Sequence, residues 1–206
     1  MATFQAVLDR LRPTLNDTDK VRYPDPELLA YALDGLRETC VLRPDLFTVT
    51  GAITCVAGVE QTIVPNGWFV IDVYGVQNGG AITYADFDTF RAYRAGWRTD
   101  PAGPAVHWMR FPADASKQPN NRFYVYPKSL AGQLLDASWT ELNTTALTIN
   151  STIPLNEQYE PALESYVIFR AESKDDEFVV TPRAALFRAA FETSLGTGAA
   201  SEMVKQ

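Results

Sequence analysis

Phe4, Val7, Leu8, Leu11 and Leu15 recur at the spacing of one helix face, which predicts an amphipathic helix at the start of the chain. Pro13 is placed to end or kink it, because proline lacks the backbone donor and disfavours helix at Arg12. Residues 16–23 are polar and read as a loop. A second helix is then announced by Asp25 as cap, Pro26 at the first helical position and Glu27 at the positive end of the dipole. Leu28, Leu29, Ala32, Leu33, Leu36 and Cys40 form its apolar face, and Pro44 stops it.

From Phe47 the period changes. Residues 48–50, 53–56 and 59–64 are β-rich on either side of Ala57-Gly58 and predict a hairpin. Residues 65–67 read as a turn and 68–74 as a strand, broken by Gly75, Gly79 and Gly80. Aromatics alternate with Asp86, Asp88, Arg91 and Arg94 over 84–97, which suits a short helix. Strand character returns at 106–111 and at 122–126, the latter closed by Pro127. Residues 133–142 make a further strand with Leu135, Ala137 and Trp139 on one face.

Helix resumes after Pro154, with Asn156 as cap and Tyr159, Leu163, Tyr166, Val167 and Arg170 on one side. Pro161 implies an irregular first turn or a later start. After the charged run Lys174-Asp175-Asp176-Glu177, Thr181 caps a last helix beginning at Pro182. Its apolar side is Leu186, Phe187, Ala190, Phe191 and Leu195, and Gly196 suits its left-handed stop. The expectation is an α+β protein. Helix pairs in 1–45 and 155–196 close into a four-helix bundle, an antiparallel β subdomain is inserted over 46–154, and 197–206 is a flexible tail.

Composition changes this picture little. The 206 residues are 46% hydrophobic and 21% charged, ordinary values for a packed chain. No run of about 18 apolar residues predicts a spanning helix, and the first residues lack the basic and apolar regions of a signal peptide, which implies synthesis in a cytoplasm. The formal charge of -7 argues against gripping nucleic acid through its phosphates. It suits solubility, or a negative wall past which DNA slides. Cys40 and Cys55 have no second pair nearby and read as reduced, buried thiols rather than as a metal site.

Candidate chemistry is sparse. His107 is the only histidine, lies beside Trp108 in a strand and has no Gly-x-Ser-x-Gly elbow to serve. The carboxylates of Asp175, Asp176 and Glu177 diverge in direction and lack the spacing of a calcium loop. Gly79-Gly80 lacks the lysine of a phosphate cradle. Trp68, Tyr74, Tyr84, Phe87, Phe90, Tyr93, Trp97 and Trp108 cluster mid-chain, mostly for core packing and partly for subunit contacts or sugar stacking. These residues predict neither enzyme, metal nor cofactor.

Four blocks in order carry a resemblance. Tyr23-Pro24-Asp25-Pro26-Glu27-Leu28-Leu29, with Leu33-Asp34-Gly35 and Leu42-Arg43-Pro44-Asp45, resembles the opening of the head-to-tail adaptors of short-tailed bacteriophages. Tyr159-Glu160-Pro161-Ala162-Leu163-Glu164-Ser165-Tyr166, with Phe169-Arg170-Ala171 and Ser173-Lys174-Asp175, resembles their closing helix. Val70-Ile71-Asp72-Val73 and Phe123-Tyr124-Val125-Tyr126-Pro127 fit the intervening strands. The pattern departs around Pro26 and Pro161 and over residues 75–119.

The resemblance implies a connector ring like that of T7-like phages, at the head-tail junction of the virion. In such a ring about a dozen copies hang beneath the portal protein, receive the tail nozzle protein below and let DNA pass through without specific binding. In it, Asp175, Asp176 and Glu177 are candidates to face the channel, against plain exposure to solvent. Met203 and Val204, the one apolar pair of the tail, are candidates to bind the portal, against an idle frayed end. The alternative is another phage tail or collar protein whose β subdomain binds carbohydrate or a partner.

Overall fold

The computed structural model of the protein describes residues 2–110, 121–174 and 182–196. The chain is α+β and divides into two compact units, a helical one from Met1–Phe47 with Asn143–Gln206 and a β-rich one from Thr48–Leu142.

In the helical unit, α1 (Phe4–Leu11) buries Phe4, Val7, Leu8 and Leu11, and Thr3 caps it by accepting from the Ala6 N–H at 3.2 Å. The helix gives out at Arg12, before Pro13, and Leu15 is buried beyond it. Next comes α2 (Asp25–Leu42), where two expectations fail. Asp25 is the first helical residue rather than the cap, and its side chain makes no capping bond. It is engaged instead by Arg12 and, at 2.9 Å, by Lys20.

The second failure is the buried stripe of α2, which is Leu28, Ala32, Gly35, Leu36, Thr39 and Cys40, with Leu29 and Leu33 only half-buried. Small residues replace leucine there because α4 (Glu160–Lys174) comes close. A Cβ on Gly35 would lie 2.8 Å from Leu163 Cδ1 and 2.8 Å from Tyr166 Cδ1.

Residues 143–154 pack with the helices rather than with the strands. The Gln5 N–H donates to Ile149 O at 2.8 Å and the Ile153 N–H to Ala2 O at 3.0 Å, and Ile153 and Leu155 are buried. A 3-10 turn over Glu157–Tyr159 precedes α4, and Asn156 makes no side-chain cap. The helix thus takes the later start, with Pro161 in its first turn, where a missing donor is harmless.

The last helix, α5 (Pro182–Ser194), starts at the expected proline, and Gly196 has the left-handed φ of +73°. Thr181 lies outside the described residues. The inward stripe of α5 is Ala184 and Phe191, continued by Leu195, while Leu186 is 71% exposed and Ala190 also faces out. Phe191 stacks edge-on against Tyr166 at 5.0 Å, which turns the side bearing Leu186 away.

The β unit is two sheets around one core. Its strands are β1 (Thr48–Thr54), β2 (Gly58–Thr62), β3 (Gly67–Val76), β4 (Thr83–Tyr84), β5 (His107–Arg110), β6 (Arg122–Ser129) and β7 (Leu134–Glu141). Strand order is β1-β7-β3 in one sheet and β2-β6-β5-β4 in the other. The expected hairpin does not form, because β1 pairs antiparallel with β7 and β2 with β6. Gln61 makes the corner between them possible: its side chain accepts from the Val56 N–H at 2.8 Å and donates to Val56 O at 2.9 Å and Gly58 O at 3.0 Å.

Nor does Pro127 close β6. The strand runs through it to Ser129, and the bulge opposite, between Gly58 and Glu60, spares the ladder a donor there. Leu135, Ala137 and Trp139 of β7 are buried in the core with Ile53, Val73 and Trp108. The expected short helix is α3 (Phe87–Tyr93), capped by Asp86, which accepts from the Thr89 N–H at 2.9 Å.

Gly35→Ala tests the close helix contact. An exposed helical glycine gains about 1 kcal/mol on becoming alanine, whereas here overpacking of about 1–3 kcal/mol outweighs the gain. Urea unfolding should show a net loss of stability.

Asp17 gives a second test. Burial pushes its carboxyl up, but the N–H groups of Arg22, Tyr23 and Val21 and the charge of Arg12 outweigh this and hold it below the ordinary range. A depressed folded value means stabilisation present above about pH 3.9 and lost as pH falls through the folded value. Asp17→Asn should therefore lower stability at pH 7 and flatten its decline below pH 4.

Candidate partner-binding surface

The densest chemistry of the β unit surrounds α3. Trp97, Met109, Tyr124 and Tyr126 form a buried cluster against which Phe87 and Phe90 pack. Phe87 stacks on Tyr124 at 5.3 Å, and Trp97 meets Tyr124 edge-on at 5.4 Å. Arginines roof this cluster: Arg94 lies 5.0 Å over Tyr126, Arg98 5.0 Å over Trp97, and Arg91 5.6 Å over Phe87.

Asp100 anchors the roof, accepting from Arg94 Nε at 2.7 Å and Tyr126 Oη at 2.8 Å. Arg94 and Tyr126 hold its carboxyl below the usual range, while burial and Asp100 push the Tyr126 phenol up. Tyr93, 89% exposed, stands at the end of α3. Rigid tyrosine and arginine on an exposed face are what protein interfaces favour.

A shallow cleft of about 270 Å³ is lined by Ile71, Asp72, Tyr84, Trp108 and Arg110. Its polar groups are engaged within the chain: Trp108 Nε1 donates to Asp72 Oδ1 at 3.1 Å, and Arg110 stacks 5.1 Å over Phe69. The Trp108 ring is 1% exposed, so it offers a ligand no platform. The volume lies below that of ordinary ligand pockets.

His107 Nδ1 shares a 2.7 Å hydrogen bond with Thr83 Oγ1, and its ring stacks on Tyr126 at 6.4 Å, a packing role. Cys40 and Cys55 are free and buried; burial pushes the Cys40 thiol up to about 11 and raises that of Cys55. Among the described residues no group of side chains is arranged to hold a metal, and no helix is long and apolar enough to cross a membrane.

The residues singled out in sequence, Asp175, Asp176, Glu177, Met203 and Val204, lie outside the described residues. Sequence reading missed the arginine roof, although the signal was there in Arg91, Arg94 and Arg98 interleaved with Phe87, Phe90 and Trp97.

Residues 2–204 match the family model of the SU10 adaptor protein. The match spans nearly the whole chain, and the protein belongs to this family of bacteriophage structural adaptors. Such proteins are virion components that associate with other virion components, a structural rather than catalytic class. No curated protein matches the chain.

The thiols supply a direct check. At pH 8 a chromogenic disulfide reagent should label neither Cys40 nor Cys55 in the folded protein, and both after denaturation.

Proposed function

We propose that the chain is the adaptor between portal protein and tail nozzle protein, assembled as a ring of about a dozen copies through which DNA passes at the head-tail junction. The observation that carries this reading is the family match over residues 2–204. The ordered resemblance to short-tailed-phage adaptors supports the T7-like placement. In this reading the N- and C-terminal helix pairs work as one four-helix bundle, from which the β unit is inserted. The tyrosine and arginine face around α3 suits contact with a protein neighbour.

The charge of -7 per copy fits a channel wall that repels the DNA backbone, with Asp175, Asp176 and Glu177 facing it. The tail 197–206 is too poor in apolar residues to fold alone, and it gains order by seating Met203 and Val204 against the portal.

Electron cryo-microscopy of the purified chain mixed with the portal protein of its phage tests all of this at once. The expected map is a ring beneath the portal, with residues 175–177 at the channel and the tail on the portal surface. Failure to bind portal overturns the placement. A bound ring with 175–177 outward or the tail free overturns those two assignments alone.

A further inference from the structure

We infer that β1 is an acceptor edge, to which another virion protein adds an extended segment as the next strand of the β1-β7-β3 sheet. The inference rests on the reading of the chain as a virion adaptor. Among the described residues β1 is an edge strand, paired only with β7, over seven residues in unbroken register from Thr48↔Thr140 to Thr54↔Leu134. The Cys55 N–H donates to Gln133 O at 2.8 Å and Cys55 O accepts from the Gly132 N–H at 3.0 Å, so Cys55 faces the β7 side. By the alternation of an antiparallel ladder, Val49, Gly51 and Ile53 face β7 as well. The N–H and C=O groups of Thr50, Ala52 and Thr54 then point outward, and these three residues are exposed. Among the described residues, no backbone group of 49–54 bonds to backbone outside the β7 ladder.

Proteins normally blunt such edges with charge, bulges, brevity or a covering segment. The other three edges here show these devices. β2 carries a bulge between Gly58 and Glu60 and the Glu60–Arg122 ion pair at 2.5 Å. β4 has two residues. β3 is covered by the returning chain, through Val76 N–H to Gly80 O and Ile82 N–H to Tyr74 O, each 3.0 Å. Among the described residues β1 has none of them. It lies inside a stretch, residues 46–59, without a single charge, in a chain where 21% of residues are charged. Thr, Val, Ala and Ile along it suit a sheet interior as well as an edge.

The partner is therefore an extended segment, uncharged where it faces β1, held by main-chain bonds. A second copy fits poorly. β1 against β1 of another copy closes after two chains, and among the described residues no second regular, uncharged edge exists to continue a ring.

The test uses whole virions and the free chain. Amide exchange at Thr50, Ala52 and Thr54 should be fast in the free protein and slowed in virions. A photocrosslinking residue at Thr50 should join a different virion protein. Ala52→Pro removes only the outward donor, so the protein should fold with its melting temperature little changed. Its incorporation into virions should fall about tenfold or more, the scale of one acceptor left buried and unpaired. If that variant fails to fold, Thr50→Lys, which sets a charge on the same edge, should show the same loss. Edge amides that exchange as fast in virions as in the free chain, a crosslink to a second copy, or full incorporation of a folded variant overturns the inference. Absence of the wild-type chain from virions overturns the adaptor reading beneath it.

Discussion

The Arg12 guanidinium sits at 3% exposure where α1 ends, and the geometry of the helical unit depends on how that charge is met. Burying an ion is costly unless its donors are matched. Arg12 Nη1 donates to Asp17 Oδ2 at 2.9 Å, to Tyr23 O at 3.1 Å and to Asp17 O at 3.2 Å, while Nη2 reaches Asp25. Asp17 in turn accepts from the N–H groups of Val21, Arg22 and Tyr23. One ion pair thus folds the whole loop between α1 and α2 and sets the start of α2. Tyr23, placed by it, donates its hydroxyl to Ala171 O at 3.1 Å and so ties the loop to α4. Nε of Arg12 stays unpaired, the one uncompensated part of the arrangement.

This network explains which parts of the helical unit were legible in sequence. Pro13, Pro182 and Gly196 act through their own backbone, so their effect needs no knowledge of neighbours. Asp25 was misread because an aspartate before a helix has two uses, and a buried arginine thirteen positions away took the second. Leu33 and Leu186 were placed inside because periodicity gives a stripe but not its centre. The centre is set by Gly35 against Leu163 and by Phe191 against Tyr166, which are contacts across the fold. The hairpin expected over 48–64 failed for the same reason: Gln61 bonds backward to its own corner, and the true partners of both strands come much later in the chain.

The functional surface was less legible than the fold. An adaptor works through contacts spread over its exterior, so no single motif announces it. What sequence did carry was the order of four weak blocks, and the family match over 2–204 bears out the phage-adaptor part of that resemblance. The two cysteines were read as buried thiols and are so, and His107 lies in the strand expected of it, β5. The arginine roof over the α3 cluster escaped because cation–π contacts need ring faces whose direction sequence does not state.

The roof nonetheless shares a device with the Arg12 network. Arg12, Arg43 and Arg94 occupy the C-cap positions of α1, α2 and α3, and each pairs with an aspartate just beyond: Asp17, Asp45 and Asp100. A cation there faces the negative end of the helix dipole, and the aspartate then directs the exit of the chain. The three differ in weight. Arg12 and Asp17 are both buried, where loss of one partner leaves an unmatched charge; the other two pairs are largely exposed and screened, so they add little energy. What the exposed pairs contribute is direction. Arg43 also donates to Leu195 O at 2.6 Å and so closes the end of α5, and Arg94 also stacks on Tyr126. In each case one guanidinium ends its helix, turns the chain and holds a distant element, which gives loops a defined path in a chain whose two cysteines are both free.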